Sequence, residues 1–494
     1  MRTASMQGPV ALGFLSLLFL LPPPATSQLS RGFSATPDPA VETYQQLLDG
    51  GEFTLGFRRV RGSLLVLAIV HSGDNLTHTP VWTANPSRPA RWAPTTELSF
   101  NGTLTLTDSG TVIWSTSGRA GDMVLFQRMA NLQVVKGDID EGRVWQSYDY
   151  PTDTIVEGQN LTAGTPLVSS ASDDLSPGAY SMRLDLAGFG LYADFGGGAR
   201  LQQYWRREAM QEKAVVRPDG GPVYAQVSVN GFLGMYQNGS PPLDVLSFDS
   251  FQRRTGTRIL RLEPDGNLKA YYWNVTRWVP DFKAILDPCE LPAACGQMGL
   301  CQPGGTCRCL DSTADGGDTG SKGPAMCGPA APAGTAKEGS CRLKVTELRT
   351  SGVDVPYEEL MVFEKMASLG SCEASCAKNC SCWAAIYNNV SGACYRLDYP
   401  VQTLLQVPDG RKSAYVKVVD PPRVMFRRKS WAAAELAVVV IGCAVLVVVL
   451  AAIGHMWWLS RRRKYGGSLS EGLAPGPYRD LDESSGGSVE LSKA

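Results

Sequence analysis

Apolar and polar residues alternate along most of this chain, and two long apolar runs break the pattern near its ends. Between residues 42 and 161, short stretches such as 53–57 and 63–70 are separated by Gly, Asn, Asp and Pro. Alternation bounded by turn-forming residues predicts β-strands, and no stretch shows a sustained helical period. The alternation returns between residues 175 and 286, for example at 180–185. The sequence therefore predicts a mainly β, multidomain protein.

The first apolar run, residues 10–21, follows a basic residue and stops at three prolines. The small residues Ala25 and Ser27 then form a signal-peptidase site. We therefore predict that residues 1–27 are a signal peptide, removed before Gln28.

The second apolar run, residues 436–459, is long enough to cross a membrane as one helix. At about 1.5 Å of rise per residue it covers a hydrocarbon core of about 30 Å. Trp457 and Trp458 lie at its end, where an interfacial aromatic belt is expected, and basic residues follow at 461–464. With the signal peptide upstream, the sequence predicts a single-pass type I protein of the plasma membrane, with residues 460–494 as a cytoplasmic tail.

The chain contains 13 cysteines, and Cys443 lies in the predicted membrane span. The other twelve all follow residue 288, which in an extracellular segment predicts disulfides. Metal ligation is not expected, because His71 and His78, the two histidines outside the span, precede every cysteine cluster. The predicted disulfide cysteines are Cys289, Cys295, Cys301, Cys307, Cys309, Cys327, Cys341, Cys372, Cys376, Cys380, Cys382 and Cys394.

Seven Asn-x-Ser/Thr sequons predict a glycosylated surface, since chance would give about two in a chain of this composition. They begin at Asn75, Asn101, Asn160, Asn238, Asn274, Asn379 and Asn389.

Composition and motifs exclude two broad classes of function. The formal net charge of −1 offers no basic surface for nucleic acid. The sequence contains no nucleophile elbow, zinc-protease motif, phosphate-binding loop or kinase motif. We predict a protein that is not an enzyme, with no catalytic residues and no cofactor.

Tryptophans recur at a regular interval in the first part of the chain. Trp82, Trp114 and Trp145 are 32 and 31 residues apart, and each closes a predicted strand. This repeat predicts three similar sheets that meet around an aromatic core.

Four motifs in the same region carry a family resemblance. They are Leu55-Gly-Phe57, Val81-Trp-Thr-Ala-Asn85, Val112-Ile-Trp-Ser-Thr116 and Gln146-Ser-Tyr-Asp-Tyr-Pro-Thr-Asp-Thr154. Residues 28–161 thereby resemble the bulb-type, mannose-binding lectin domain of plant S-domain receptor-like proteins. The resemblance implies a β-prism of three four-stranded sheets.

Mannose-binding members of that family carry the motif Gln-x-Asp-x-Asn-x-Val-x-Tyr, whose amide and carboxylate groups bind sugar hydroxyls. The aligned residues 127–135 keep only Gln127 and Asn131 of the five. These two are the candidate carbohydrate-binding residues. The alternative interpretation is that they form the polar face of an ordinary β-strand.

Residues 175–286 resemble the S-locus glycoprotein region that follows the lectin domain in this family. Residues 263–271 in this region repeat the mannose-binding pattern, with Glu263 in place of Gln and Lys269 in place of Val. The pair Asp265-Gly266 favours a simple turn at this position.

The first six disulfide cysteines lie in residues 287–328, which resemble the EGF-like module of the same family. Sequence alone leaves about fifteen pairings for six cysteines. The resemblance implies the pairs 289–301, 295–307 and 309–327.

The other six cysteines lie in residues 341–419, where a short helix around residues 371–379 precedes two strands. Cys372 and Cys376 are four positions apart and therefore face one side of that helix. The segment resembles a PAN/apple domain. The resemblance implies the pairs 372–394 and 376–382, with Cys341 and Cys380 as the remaining pair.

In its order of domains the chain resembles a plant S-domain receptor in which only a short tail follows the membrane. The resemblance implies a cell-surface receptor-like protein without a kinase. Such a protein would bind an extracellular glycan or protein ligand and act through or against a kinase-bearing partner. Association of copies, or with receptor-like kinases, through the EGF-like and PAN modules is also implied. The alternative is a structural or adhesion protein at the cell wall with no signalling role.

Overall fold

The structure is a computed structural model that divides into two compact units, residues 1–421 and 422–494. It describes residues 27–137, 142–172, 174–194, 201–208, 217, 219–239, 241–249, 255–296, 299–310, 327, 340–398, 402–419 and 431–464. The predicted signal peptide, apart from Ser27, and the tail beyond residue 464 lie outside the described residues.

The first thirteen strands form three sheets, which we call the first prism. Strands β1 to β13 are Gln28–Ser30, Phe33–Ala35, Tyr44–Asp49, Phe53–Val60, Leu64–His71, Pro80–Thr83, Ala90–Arg91, Thr96–Phe100, Leu104–Asp108, Thr111–Ser115, Met123–Phe126, Leu132–Val135 and Arg143–Gln146. The sheet orders are β1-β11-β12-β13, β10-β9-β8-β2 and β3-β4-β5-β6, with the short β7 paired to β5.

The three recurring tryptophans meet at the centre of this prism. The ring centroids of Trp82, Trp114 and Trp145 lie 5.8–6.2 Å apart, and each pair is edge to face. Each ring comes from a different sheet. The edge-to-face arrangement is favourable because the electron-poor edge of one ring meets the electron-rich face of the next. The prediction of three sheets around an aromatic core is confirmed.

Twelve further strands form a second set of three four-stranded sheets, which we call the second prism. Strands β14 to β25 are Thr154–Val156, Asn160–Thr162, Leu167–Ser170, Pro177–Leu184, Gly188–Ala193, Gln202–Glu208, Val223–Ser228, Phe232–Gln237, Asp244–Ser247, Arg258–Leu262, Leu268–Asn274 and Arg277–Lys283. The sheet orders are β14-β23-β24-β25, β15-β20-β21-β22 and β16-β17-β18-β19. Although β14 lies within the range predicted for the lectin domain, it pairs with β23 in this second prism.

The cysteine-rich part of the chain follows, with strands β26 to β34 and one helix. The strands are Gly299–Gln302, Thr306–Cys309, Val345–Ser351, Val353–Asp354, Phe363–Lys365, Cys382–Asn388, Ala393–Asp398, Leu404–Gln406 and Lys412–Val419; helix α1 is Leu369–Lys378. Its sheet orders are β27-β26-β33-β29 and β28-β34-β31-β32-β30. Because β26 pairs with β33, the predicted EGF-like and PAN modules share one sheet.

Helix α1 begins two residues before the predicted range 371–379 and ends one residue before its end. Ser368 accepts a hydrogen bond from the backbone N–H of Ser371 and so caps the first turn. Both Cys372 and Cys376 are fully buried on one face of the helix. That face packs on β31, as the four-residue spacing of the cysteines predicts.

The twelve cysteines form six disulfides that hold this part of the chain together. The pairs are 289–301, 295–307, 309–327, 341–380, 372–394 and 376–382, the same pairs that the two family resemblances imply. Covalent closure of these loops removes conformations from the unfolded chain and so stabilises this part of the fold.

The hydrophobic core has two main parts. One fills the first prism, and the other is continuous from the second prism into the PAN domain. Tyr204 of the second prism and Tyr357 beside the PAN sheet are 6.2 Å apart between ring centroids. The second prism and the PAN domain therefore pack as one body.

The second unit contains helix α2, Trp431–Lys464. Its segment 440–461 has a mean hydropathy of 2.4 and is the one helix in the described residues that is long and apolar enough to cross a membrane. This is consistent with the predicted span at residues 436–459.

Candidate functional site

The two candidate carbohydrate-binding residues bracket one tight hairpin of the first prism. The chain leaves β11 at Gln127, whose backbone N–H donates to the carbonyl oxygen of Asn131 at 2.9 Å, and re-enters the sheet as β12. Ala130 adopts a positive φ of 66° to close the turn. The hairpin places the side chains of Gln127 and Asn131 in the same cleft.

A chain of amide side chains continues from this hairpin across the sheet. Gln127 Nε2 donates to Gln133 Oε1 at 3.1 Å. Gln133 and Asn131 both donate to Gln146 Oε1, at 3.4 and 3.0 Å. Gln146 Nε2 donates in turn to Asp149 Oδ1 at 2.7 Å. The antiparallel register makes this possible, because Gln133 on β12 lies directly opposite Gln146 on β13.

These amides form one wall of a polar cleft of about 530 Å³. A loop and strand of the second prism form the other wall, so the cleft lies between the two prisms. Gln159, which is buried, fixes this wall by donating from Nε2 to the carbonyl oxygen of Tyr148 at 3.1 Å. The lining residues are Gln127, Asn131, Gln133, Arg143, Gln146, Tyr148, Asp149, Gly158, Asn160, Thr162 and Thr165.

The cleft offers both donors and acceptors to a polyhydroxylated ligand. Gln127 is exposed at the mouth, whereas Asn131 and Gln133 retain only 4% and 5% exposure at the base. Amides that already hold one another in fixed orientations need little reordering to bind hydroxyl groups. Asp149 is the one carboxylate among the described lining residues, so the donor set suits sugar hydroxyls better than a divalent metal ion.

Tyr148 adds an aromatic residue to the wall. Its hydroxyl donates to the carbonyl oxygen of Met129, which fixes the ring beside the hairpin. Burial, reinforced by the nearby Glu157 carboxylate, raises the pKa of Tyr148, so the hydroxyl stays protonated. Sugar-binding sites commonly use such a ring as a flat apolar surface with a polar edge.

Sequence reasoning identified Gln127 and Asn131 but missed Gln133, Gln146 and Asp149. Gln146 and Asp149 lie in the motif 146–154, which served only as a family marker. In the family pattern the acidic residue would stand at position 129, where this chain has Met. Asp149 supplies a carboxylate to the same cleft from the neighbouring strand end.

The mannose-binding pattern that recurs at residues 263–271 forms a hairpin of the same geometry in the second prism, but its side chains have a different role. The Glu263 backbone N–H donates to the Asn267 carbonyl oxygen at 2.9 Å, and Gly266 has the positive φ. The Asn267 side chain, however, is buried and bonds both backbone groups of Ile285, at 2.8 and 3.1 Å. The Tyr271 hydroxyl is bonded to Glu263. These side chains form hydrogen bonds that stabilise the fold, as expected if residues 265–266 form a simple turn.

Three sulfurs lie close enough to suggest a metal cluster, those of Cys295, Cys301 and Cys307. Each is bonded in a disulfide, so none is a thiolate ligand.

Comparison with known proteins identifies two families in this chain. Residues 79–169 match the D-mannose binding lectin family and residues 341–417 match the PAN domain family. A PAN domain-containing protein of Arabidopsis thaliana is 40% identical over 475 residues, which cover 94% of this chain and 92% of that protein.

Two further Arabidopsis relatives are more distant. A G-type lectin S-receptor-like serine/threonine-protein kinase is 25% identical over 412 residues, which cover 79% of this chain and 45% of the kinase. The chain thus spans about half the length of that relative. EP1-like glycoprotein 4 is 26% identical over 374 residues, which cover 72% of this chain and 81% of that glycoprotein.

Proposed function

Because the chain belongs to the family of plant S-domain proteins in which a D-mannose binding lectin domain precedes a PAN domain, we propose that it is a cell-surface recognition glycoprotein. It binds an extracellular saccharide in the cleft between its two prisms. The single observation that supports this most is the continuous amide chain from Gln127 to Asp149, with Asn131 at its base.

We propose that the protein is located in the plasma membrane with type I orientation, so that residues 28–419 lie outside the cell. The apolar segment 440–461 supports one membrane crossing. The six disulfides support an oxidising, extracytoplasmic compartment for the first unit.

The exposed sequons support the same orientation. Leu76, Val275 and Val390 are 93%, 82% and 73% exposed, and each is the middle residue of a sequon. A glycan on the preceding asparagine shields such an apolar side chain from water. We propose that Asn75, Asn274 and Asn389 carry glycans for this reason.

For signalling, we propose that the protein acts through or against a kinase-bearing partner and associates through the cysteine-rich part of the chain. The receptor kinase among its relatives supports this, because the match to it extends over 79% of this chain. The second prism and the PAN domain pack as one body. The effect of ligand binding near one of them is therefore transmitted to the other without an intervening flexible linker.

The test is a glycan array probed with the full-length chain in detergent, before and after enzymatic removal of its N-glycans. We expect binding of mannose-containing oligosaccharides in at least one form, weakened at least about tenfold by Gln127→Ala or by Asn131→Asp. Arg128→Ala is the matched control, because Arg128 is the next residue, is 75% exposed and pairs with Glu52 outside the cleft. Loss of binding in the control, or no binding in either form, would reject the saccharide site.

The alternative function is surface adhesion without signalling. The shared core of the second prism and the PAN domain favours it equally, because a stiff body suits a structural role. Removing residues 465–494 from the full chain separates the two: a signalling protein loses its downstream response, whereas an adhesion protein retains its surface function.

A further inference from the structure

The strand that forms the second wall of the cleft carries a glycosylation sequon. Asn160, Leu161 and Thr162 make up β15, which pairs with β20 of the second prism. Leu161 is fully buried, which fixes the strand, while Asn160 and Thr162 are exposed and line the cleft. Asn160 is the one sequon asparagine among the described lining residues.

The Asn160 side chain is held in one orientation. Its Oδ1 accepts a hydrogen bond at 2.9 Å from Gln226 Nε2, which also donates to the carbonyl oxygen of Gly158 at 3.0 Å. Gln226 is not one of the described lining residues of the cleft. The Nδ2 atom of Asn160, which carries the sugar in a glycoprotein, has no hydrogen-bond partner among the described residues and is free to bear one.

We propose that an N-linked glycan on Asn160 occupies the cleft and closes it to external saccharides. In the attachment step Nδ2 forms a bond to C1 of the first sugar of a lipid-linked oligosaccharide while the bond from C1 to the lipid pyrophosphate breaks. The lipid pyrophosphate leaves, and the displaced amide proton passes to the transferase. The arrangement rests on the proposed saccharide-binding function and adds its regulation: the cleft is open to outside ligands in molecules that lack this one glycan.

The size and chemistry of the cleft fit this occupant. Its volume of about 530 Å³ falls within the range of about 300–1,000 Å³ typical of ligand sites. N-linked glycans of the secretory pathway are rich in mannose hydroxyls, which the facing amides of Gln127 and Gln133 are able to bind. The attachment point lies on the opposite wall, so the oligosaccharide reaches these amides without a long linker.

Tethering makes even a weak site compete effectively. A ligand attached by a short flexible link has an effective concentration of the order of 1 mM. If the cleft binds free oligosaccharide with a dissociation constant of about 0.1 mM, the tethered glycan weakens external binding about tenfold.

The test uses two substitutions at Thr162 in the full-length chain. Thr162→Ala destroys the sequon, and Thr162→Ser preserves it with nearly the same exposed side chain. Glycopeptide mass spectrometry should find a glycan on Asn160 in the wild type and in Thr162→Ser but not in Thr162→Ala. Mannose-containing oligosaccharides should then bind Thr162→Ala about tenfold more tightly than the other two forms.

A second measurement does not depend on external ligands. Endoglycosidase should release the Asn160 glycan several-fold faster from Gln127→Ala than from the wild type under native conditions, since the glycan loses a contact in the cleft. Equal release rates, or an unoccupied Asn160 in the wild type, would overturn the proposal. Equal oligosaccharide binding by Thr162→Ala and Thr162→Ser would also overturn the proposal. The saccharide-binding function would still stand in that case if Gln127→Ala abolishes the binding. If the Asn160 glycan is released slowly from the wild type but no external oligosaccharide binds to any form, the proposed saccharide-binding function is rejected. The proposal that the glycan occupies the cleft then stands.

Discussion

His71 of the first prism and Trp273 of the second prism lie stacked, with ring centroids 3.9 Å apart and ring planes at 26°. Phe53 and Trp278 pack edge-on around the same imidazole, at 5.2 and 5.4 Å. The Nδ1 atom of His71 accepts a hydrogen bond from the backbone N–H of Gly73 at 3.1 Å. A neutral histidine therefore lies at the centre of the aromatic contact that joins the two prisms.

This contact predicts a loss of stability in mild acid. Burial lowers the pKa of His71 to about 4, although Glu52 and Asp74 nearby favour its charged form. Between pH 6.5 and pH 4 the unfolded chain takes up a proton at this residue and the folded chain does not. The contribution of His71 to the free energy of unfolding should therefore fall as the pH decreases through this window, by at most about 3 kcal/mol, and His71 should add no further loss below it.

Urea unfolding at a series of pH values measures this effect. His71→Asn is the control, because its Oδ1 replaces Nδ1 as the acceptor for Gly73 but does not titrate. The variant should be less stable at neutral pH and should lose less stability on acidification. A wild type and variant with parallel pH profiles would show that His71 is not responsible.

Lys417 should contribute strongly to the stability of the PAN domain. Its ammonium is buried at the C-terminal end of α1 and donates to the carbonyl oxygens of Cys376 and Asn379, at 2.9 and 3.1 Å, and to Ser340 Oγ at 2.9 Å. Replacing Lys417 by Met leaves these acceptors unsatisfied and should cost about 2–3 kcal/mol in denaturant unfolding. The exposed Lys378 on the last turn of the same helix is the control, and its replacement by Met should change the stability by less than about 0.5 kcal/mol.

The two matching hairpins predict opposite effects of exchanging Gly and Ala. Ala130 has φ of 66° and Gly266 has φ of 85° at equivalent turn positions. Ala130→Gly relieves a strained conformation and should stabilise the first prism by up to about 1 kcal/mol. Gly266→Ala should destabilise by at least that amount, because the added Cβ would also lie 3.1 Å from atoms of Tyr180 and Tyr204. Thermal unfolding of both variants tests the pair, and shifts of the same sign would contradict it.

The sequence predicts those parts of the fold whose signal is periodic or local. The tryptophan interval predicts three sheets around an aromatic core, and the spacing of Cys372 and Cys376 places both on one face of α1. The second prism is different, because β14 and β15 are three residues each and their partners β23 and β20 lie far along the chain. Nothing local in such short strands indicates which distant strand they join.

Only part of the cleft could be predicted from the sequence, because most of its residues are brought together by long-range pairing and packing. Gln127 and Asn131 belong to one hairpin, so a linear motif finds them together. Gln133 and Gln146 become neighbours only through the register of β12 and β13, which the sequence does not state. Asn160 enters from the other prism, and only the packing of the two prisms brings it to the cleft.

The tryptophan cluster should depend most on Trp82. Its Nε1 donates to the carbonyl oxygen of Tyr150 at 2.8 Å, which fixes the chain between the prisms, and the side chain is 6% exposed. Trp82→Phe removes that bond and leaves a void among the three rings, so thermal unfolding should show a loss of about 2–3 kcal/mol. Trp114→Phe is the matched control: Trp114 packs in the same cluster at 6.0 Å from Trp82 but is only half-buried, so its loss should be about half as large. Equal losses would mean that ring packing alone, and not the bond to Tyr150, holds the centre of the prism.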